Sequence, residues 1–128
     1  MNEILVEWID KAEGDYNTAR RELSVRKKPN YDAVCFHSQQ CVGKYLKAFL
    51  VFCEIEPPRI HNLIELLKLC SAKDGSFEFI HPTLDALMTY AIDIRYPGDF
   101  SSKEEARAAV SAMKQVREFV RGKLPKGK

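Results

Sequence analysis

Tyr31 to Phe52 reads YDAVCFHSQQCVGKYLKAFLVF, and the fold turns on this stretch. It contains no proline, and 22 residues make a helix of roughly 33 Å. At about 100° per residue, the apolar residues sweep more than half of the circumference. They are Val34, Cys35, Cys41, Val42, Tyr45, Leu46, Ala48, Phe49, Leu50 and Phe52, with Cys53 just beyond. A surface helix needs an apolar stripe only a little over a quarter of a turn wide, so a helix apolar on most sides belongs at the centre of a bundle. The remaining arc is narrow and polar. His37, Gln40, Lys44 and Lys47 recur at i, i+3, i+7 and i+10 and stack along one face.

Outward from this centre, every periodic segment is helical. Leu5, Trp8, Ile9, Ala12, Tyr16, Ala19 and Leu23 form a core-facing stripe on a first helix from about Asn2 to Ser24. Glu3 and Glu7 stand near its start, and Arg20 and Arg21 near its end, as the helix dipole prefers. Asp15 lies beside the stripe, placed to face a neighbouring helix. Lys27-Lys28-Pro29-Asn30 then turns the chain. After the central helix, Glu56-Pro57-Pro58 imposes an extended segment. Asn62, with Glu65 three residues later, has the pattern of a helix start. The short helix that follows carries Leu63, Leu66, Leu67 and Cys70. A loop through Asp74-Gly75, a brief turn over Phe77–Ile80 and Pro82 lead to a further helix packed through Leu84, Leu87, Met88, Ala91 and Ile92. Ser102-x-x-Glu105 is a capping box that opens the last helix. That helix runs to about Gly122 with Ala106, Ala109, Val110, Met113, Val116 and Val120 inward, leaving a loose tail over 123–128. The expected fold is all-α: an antiparallel up-and-down four-helix bundle with an additional short helix, one domain over residues 1–128.

Composition narrows the function. A hydrophobic content of 45% and a net charge of +2 describe an ordinary globular chain, without the strong basicity of a bulk nucleic-acid binder. Neither a long apolar run nor a basic leader region is present, so a cytoplasmic location is expected. Cys35, Cys41, Cys53 and Cys70 lack C-x-x-C spacing and read as buried free thiols. His37, His61 and His81 have no paired spacing for a metal, and no phosphate-loop, dinucleotide or nucleophile-elbow motif occurs. No cofactor is expected.

The polar row therefore carries the functional reading. Lysines on a mostly buried helix have three fates: their heads reach water, they pair with acids such as Asp15 or Asp93, or they border a groove that takes phosphate or carboxylate. Gly43, beside the row, permits a close approach, and a second subunit is one candidate for it. His61 at the entrance to the short helix is a candidate proton-transfer or ligand group. Arg95-Tyr96 offers a planar fork and a stacking ring.

Several pieces together resemble the HEPN family, the small prokaryotic type. They are A-E-G-D-Y at 12–16, Y-D-A-V-C-F-H-S-Q-Q at 31–40, G-K-Y-L-K-A at 43–48, H-N-L at 61–63 and R-Y-P at 95–97. The resemblance extends in order over almost the whole chain. It implies a helical bundle that dimerises, and a nucleotidyltransferase-like partner in a two-gene module of toxin–antitoxin type. Gly43 stands where the family commonly has a glutamate. The arginine followed four to six residues later by a histidine, which the ribonuclease members carry, is absent. The resemblance thus implies a non-catalytic domain binding a nucleotide, a nucleotidyltransferase-like partner, or both. Lys44 and Lys47 would contact phosphate or acidic groups, oriented by His37 and Gln40, with His61, Arg95 and Tyr96 at the rim. Two alternatives stand beside it: a metal-independent ribonuclease using Arg59 and His61 on RNA, and a purely structural interaction module.

Overall fold

The computed structural model describes residues 2–90 and 97–126. Five α-helices are present among them: α1 (Glu3–Leu23), α2 (Tyr31–Phe52), α3 (Leu63–Lys73), α4 (His81–Tyr90) and α5 (Lys103–Lys123). A 3₁₀ segment, Gly75–Ile80, joins α3 to α4. The described residues contain no strand.

Local chemistry sets the helix starts. Asn2, Asn30 and Asn62 each accept backbone N–H groups of the first turn through the side-chain oxygen. Ser102 and Glu105 form the reciprocal capping box. Such caps satisfy donors that the first turn leaves unpaired, for about 1 kcal/mol each. The α2 terminus falls where the sequence places it, but the prolines are not what ends the helix. The helix stops at Phe52, before the prolines, because Glu54 adopts φ +62°. The Ile55 N–H bonds the Leu50 carbonyl at 2.9 Å, and the Glu54 N–H bonds that of Val51 at 2.9 Å. This pair of bonds is a Schellman cap, made here with a glutamate where glycine is usual. Pro57 and Pro58 only carry the chain onward.

Ten of the 22 residues of α2 are buried, and α2 touches each of the other four helices. It is the central rod that its sequence implies. Contacts fix the directions. On α1, Glu13 meets Tyr45 and Trp8 meets Lys47, so the two helices run antiparallel. On α5, Ser101 just before it meets Asp32, and Arg121 meets Tyr45, so α5 runs with α2. Thr83 of α4 meets Gln115 of α5. The predicted inward stripe of α5 is buried throughout, as are Leu63, Leu66, Leu67 and Cys70 of α3. Phe77 is fully buried, its ring 4.3 Å from that of Phe49 and 5.0 Å from that of Phe119.

Two expectations change. Gly43 faces α3 of its own chain: a Cβ there would meet Leu63 at 3.5 Å, so the close approach it permits is intramolecular. The tail is not loose from residue 123, because Lys123 pairs with Asp74 at 3.0 Å and Leu124 is buried. Ala91 and Ile92, expected on the fourth helix, lie outside the described residues, as does Asp93.

Candidate functional site

The α1–α2 crossing builds the site. Ala12 and Ala19 on α1 are fully buried, and side chains this small let α2 come close. Between them Asp15 points inward, its side chain only 11% exposed. Oδ2 lies 2.6 Å from Lys44 Nζ, and Oδ1 lies 2.7 Å from His37 Nδ1. Of the three fates open to the lysines, Lys44 thus takes the ion pair, with Asp15 as its acid. The acid comes from another helix, which is why a glycine at position 43 leaves Lys44 matched. His37 packs edge-on against Phe36, at 5.2 Å between rings, and serves the Asp15 side of the crossing.

Lys47, three residues on, has a different environment. Its Nζ lies 5.5 Å from the centre of the Trp8 ring. No carboxylate pairs with it among the described residues. Burial, and then the neighbouring charge of Lys44, lower its pKa below the usual lysine value. Among the described residues, this ammonium is held in place without a counter-charge.

Lys47 opens onto two adjoining hollows. The smaller, about 170 Å³, is bounded by Gln40, Lys44, Lys47, His61, Trp8 and Gly43 among others. The larger, about 920 Å³, shares Trp8, Lys47 and His61. It continues over Ile4, Val51, Ile55, Pro57 and Pro58, with Glu54, Glu56 and Arg59 on its walls. The fold therefore brings four of the sequence candidates, Gln40, Lys44, Lys47 and His61, to one concavity. Asp15 and His37 stand behind Lys44. Arg95 and Tyr96 lie outside the described residues. Trp8 is the lining residue that periodicity hides: on the sequence it belongs to the core stripe of α1, and only the helix crossing turns its ring toward the lysines.

A second polar cluster went unseen in the sequence. Glu13 accepts two bonds from Arg117, at 2.7 and 2.9 Å, and one from the Tyr45 hydroxyl. Arg121 donates to the Tyr45 oxygen at 3.2 Å. The Arg117 guanidinium also lies 4.2 Å from the Tyr16 ring centre. Burial pushes the Glu13 carboxyl up, but the bonds from Arg117 and Tyr45 and the charges of Arg117 and Arg121 outweigh it, so its pKa is lowered. Burial first, and then the bond to Glu13, push the Tyr45 hydroxyl up. The bond to Glu13 raises the Arg117 value against its own burial. The cluster joins α1, α2 and α5.

The thiols are poorly disposed to chemistry. Burial pushes Cys41 up, with Glu13 and Asp15 adding to it, and burial pushes Cys70 up to about 12. The described residues contain no group of histidine, cysteine and acidic side chains able to hold a metal, and no helix long and apolar enough to cross a membrane.

The family model for the HEPN domain matches residues 5–123. Among solved structures, an archaeal HEPN homologue is 27% identical with a TM-score of 0.74, over 96% of this chain and 98% of its own. TT1696 from Thermus thermophilus is 23% identical with a TM-score of 0.80, over 97% of this chain and 100% of its own, a likeness of fold. No curated protein matches the chain.

Proposed function

Since this chain belongs to the HEPN domain family, we propose that it is a non-catalytic member whose α1–α2 cleft binds a nucleotide, a nucleotidyltransferase-like partner, or both. One observation carries the reading: Lys47 is a partly buried ammonium with no carboxylate partner among the described residues, set against the only tryptophan at the mouth of a cavity. An uncompensated cation is a cost in the free protein. A phosphate or an acidic side chain entering the cleft would relieve it. Gln40 and His61 supply neighbouring hydrogen-bonding groups, and Asp15 fixes Lys44 at the back wall.

The partner reading uses the same chemistry, with carboxylates of a second protein in place of phosphate. A nucleotidyltransferase-like protein from a toxin–antitoxin-type module is the partner we favour, and a second copy of this chain is the expected dimer mate. Phe79 and Phe100, 82% and 76% exposed, and the half-exposed Phe36 offer apolar surface for such assembly.

The test is thermal unfolding in low salt with millimolar nucleotide. Wild type is expected to gain several degrees and Lys47→Ala to gain nothing, and the gain should shrink as salt rises. Absence of any shift in wild type removes the nucleotide half of the proposal, and co-purification with the nucleotidyltransferase-like protein then tests the other half. Arg59 and His61 share the larger hollow, which favours RNA cleavage as the second reading. Incubation with structured and single-stranded RNA decides it: cleavage abolished by His61→Ala would establish an enzyme.

A further inference from the structure

The cleft carries charges of both signs. Among the described residues its cations are Lys44, Lys47 and Arg59, and its carboxylates are Asp15 behind Lys44, then Glu54 and Glu56 on the wall of the larger hollow. Each of these cations is matched in number by an acid among the described residues. The charge is not evenly spread. Positive charge gathers at the small hollow around Lys47. The acids gather where α2 ends, and the carbonyls of a helix C-terminus add negative potential there.

Two helix N-termini border the cleft, and these would be the usual cradles for a chain of phosphates. Both are already filled. Asn2 accepts the N–H groups of Ile4 and Leu5, and Asn62 accepts those of Ile64 and Glu65. The small hollow, about 170 Å³, equals the liquid share of roughly six waters. The larger one offers Trp8, Val51, Ile55 and the two prolines, a surface suited to a flat ring system.

Building on the nucleotide reading above, we infer that the cleft takes a nucleotide bearing a single phosphate, with that phosphate at Lys47, Gln40 and His61 and the ring system in the larger hollow beside Trp8, and that it discriminates against triphosphates. A single phosphate carries about 1.5 to 2 negative charges at neutral pH, which the Lys47 ammonium and hydrogen bonds from Gln40 and His61 answer. The further phosphates of a triphosphate would have to extend toward Glu54 and Glu56, or crowd the small hollow, where Gln39 and the Asp15-bound Lys44 are the donors that remain. Free mononucleotides and the 5′-phosphorylated end of an RNA share this chemistry.

Trp8 is the sole tryptophan, so its fluorescence reads the site directly. The titrants are AMP, ATP with and without magnesium, adenosine, and a short 5′-phosphorylated RNA, in low salt at pH 7. AMP is expected to quench with an affinity at least tenfold above those of ATP and adenosine, and Lys47→Ala is expected to erase that preference. An RNA end binding at least as tightly as AMP assigns the site to RNA termini, and weaker binding assigns it to free mononucleotides; either supports the inference. ATP binding as tightly as AMP overturns it and leaves the nucleotide reading intact. Equal binding of adenosine, or AMP binding indifferent to Lys47→Ala, also overturns it, because the phosphate then sits elsewhere. No binding of any titrant removes both readings.

Discussion

Lys44 and Lys47 stand three residues apart on one helix and meet opposite electrostatic fates. Lys44 has a carboxylate at 2.6 Å, whereas Lys47 has an indole face and the repulsion of Lys44. A lysine whose pKa is lowered on folding binds its proton more tightly in the unfolded chain, so while both states are charged it works against stability. That contribution fades as pH rises through the lowered folded value toward the ordinary 10.5. Lys47→Met keeps the stem's contacts with Trp8 and removes the charge. It is expected to raise the thermal midpoint of the ligand-free protein at pH 7 and to flatten the gain in stability that wild type shows as the solution becomes alkaline. A residue kept for packing would lower the midpoint when replaced. A lower midpoint would place Lys47 among the structural residues.

At the scale of the element, α2 gathers most of the information. Its apolar breadth makes it the centre, and its polar arc supplies one wall of the cleft. Its C-terminus carries a local cost, since Glu54 is a non-glycine residue in the left-handed region, worth roughly 1–2 kcal/mol. The same residue is on the wall of the larger hollow. Glu54→Gly relieves the backbone but leaves the unfolded chain with more freedom. The net stabilisation is expected to be about 0.5–1 kcal/mol, measured as a higher urea midpoint with an unchanged slope. The start of α3 shows how local rules can be met in part. The Asn62 side chain caps as its spacing implies, while the Glu65 carboxylate lies 3.6 Å from Lys68.

Across the whole molecule, the Glu13 cluster is the tie between distant parts of the chain, since Glu13 and Arg117 are 104 positions apart. Charge-assisted, two-pronged bonds of this kind are the strong ones. Side-chain exposure of 25% on both partners moderates their worth. Glu13→Gln is expected to cost about 2 kcal/mol at pH 7, read by chemical denaturation. The pH dependence has a definite sign. The folded pKa of Glu13 is lowered, so its contribution is complete above the ordinary value of 4.5 and is lost as pH falls from there through the folded value. Asp74 and Glu78 are shifted in the same direction, so the diagnostic quantity is the difference between wild type and variant. That difference should shrink below pH 4.5, and a constant difference would assign the loss to shape instead of charge.

The sequence alone determined the five helices, their order and most of their ends, because caps, turns and apolar periodicity act within a few residues of one another. Tyr31–Phe52 was legible as the central helix to its last residue, and Ser102 with Glu105 as a capping box. The polar row of α2 was legible too, since its members share one helix face. The tertiary structure decided what each row member does: Lys44 paired with Asp15, Lys47 set over Trp8, and Gln40 and His61 gathered at the same hollow. It also decided the bond between Glu13 and Arg117. These contacts join side chains of different helices, and which of them meet depends on where the helices cross, a distance relation that no local pattern encodes.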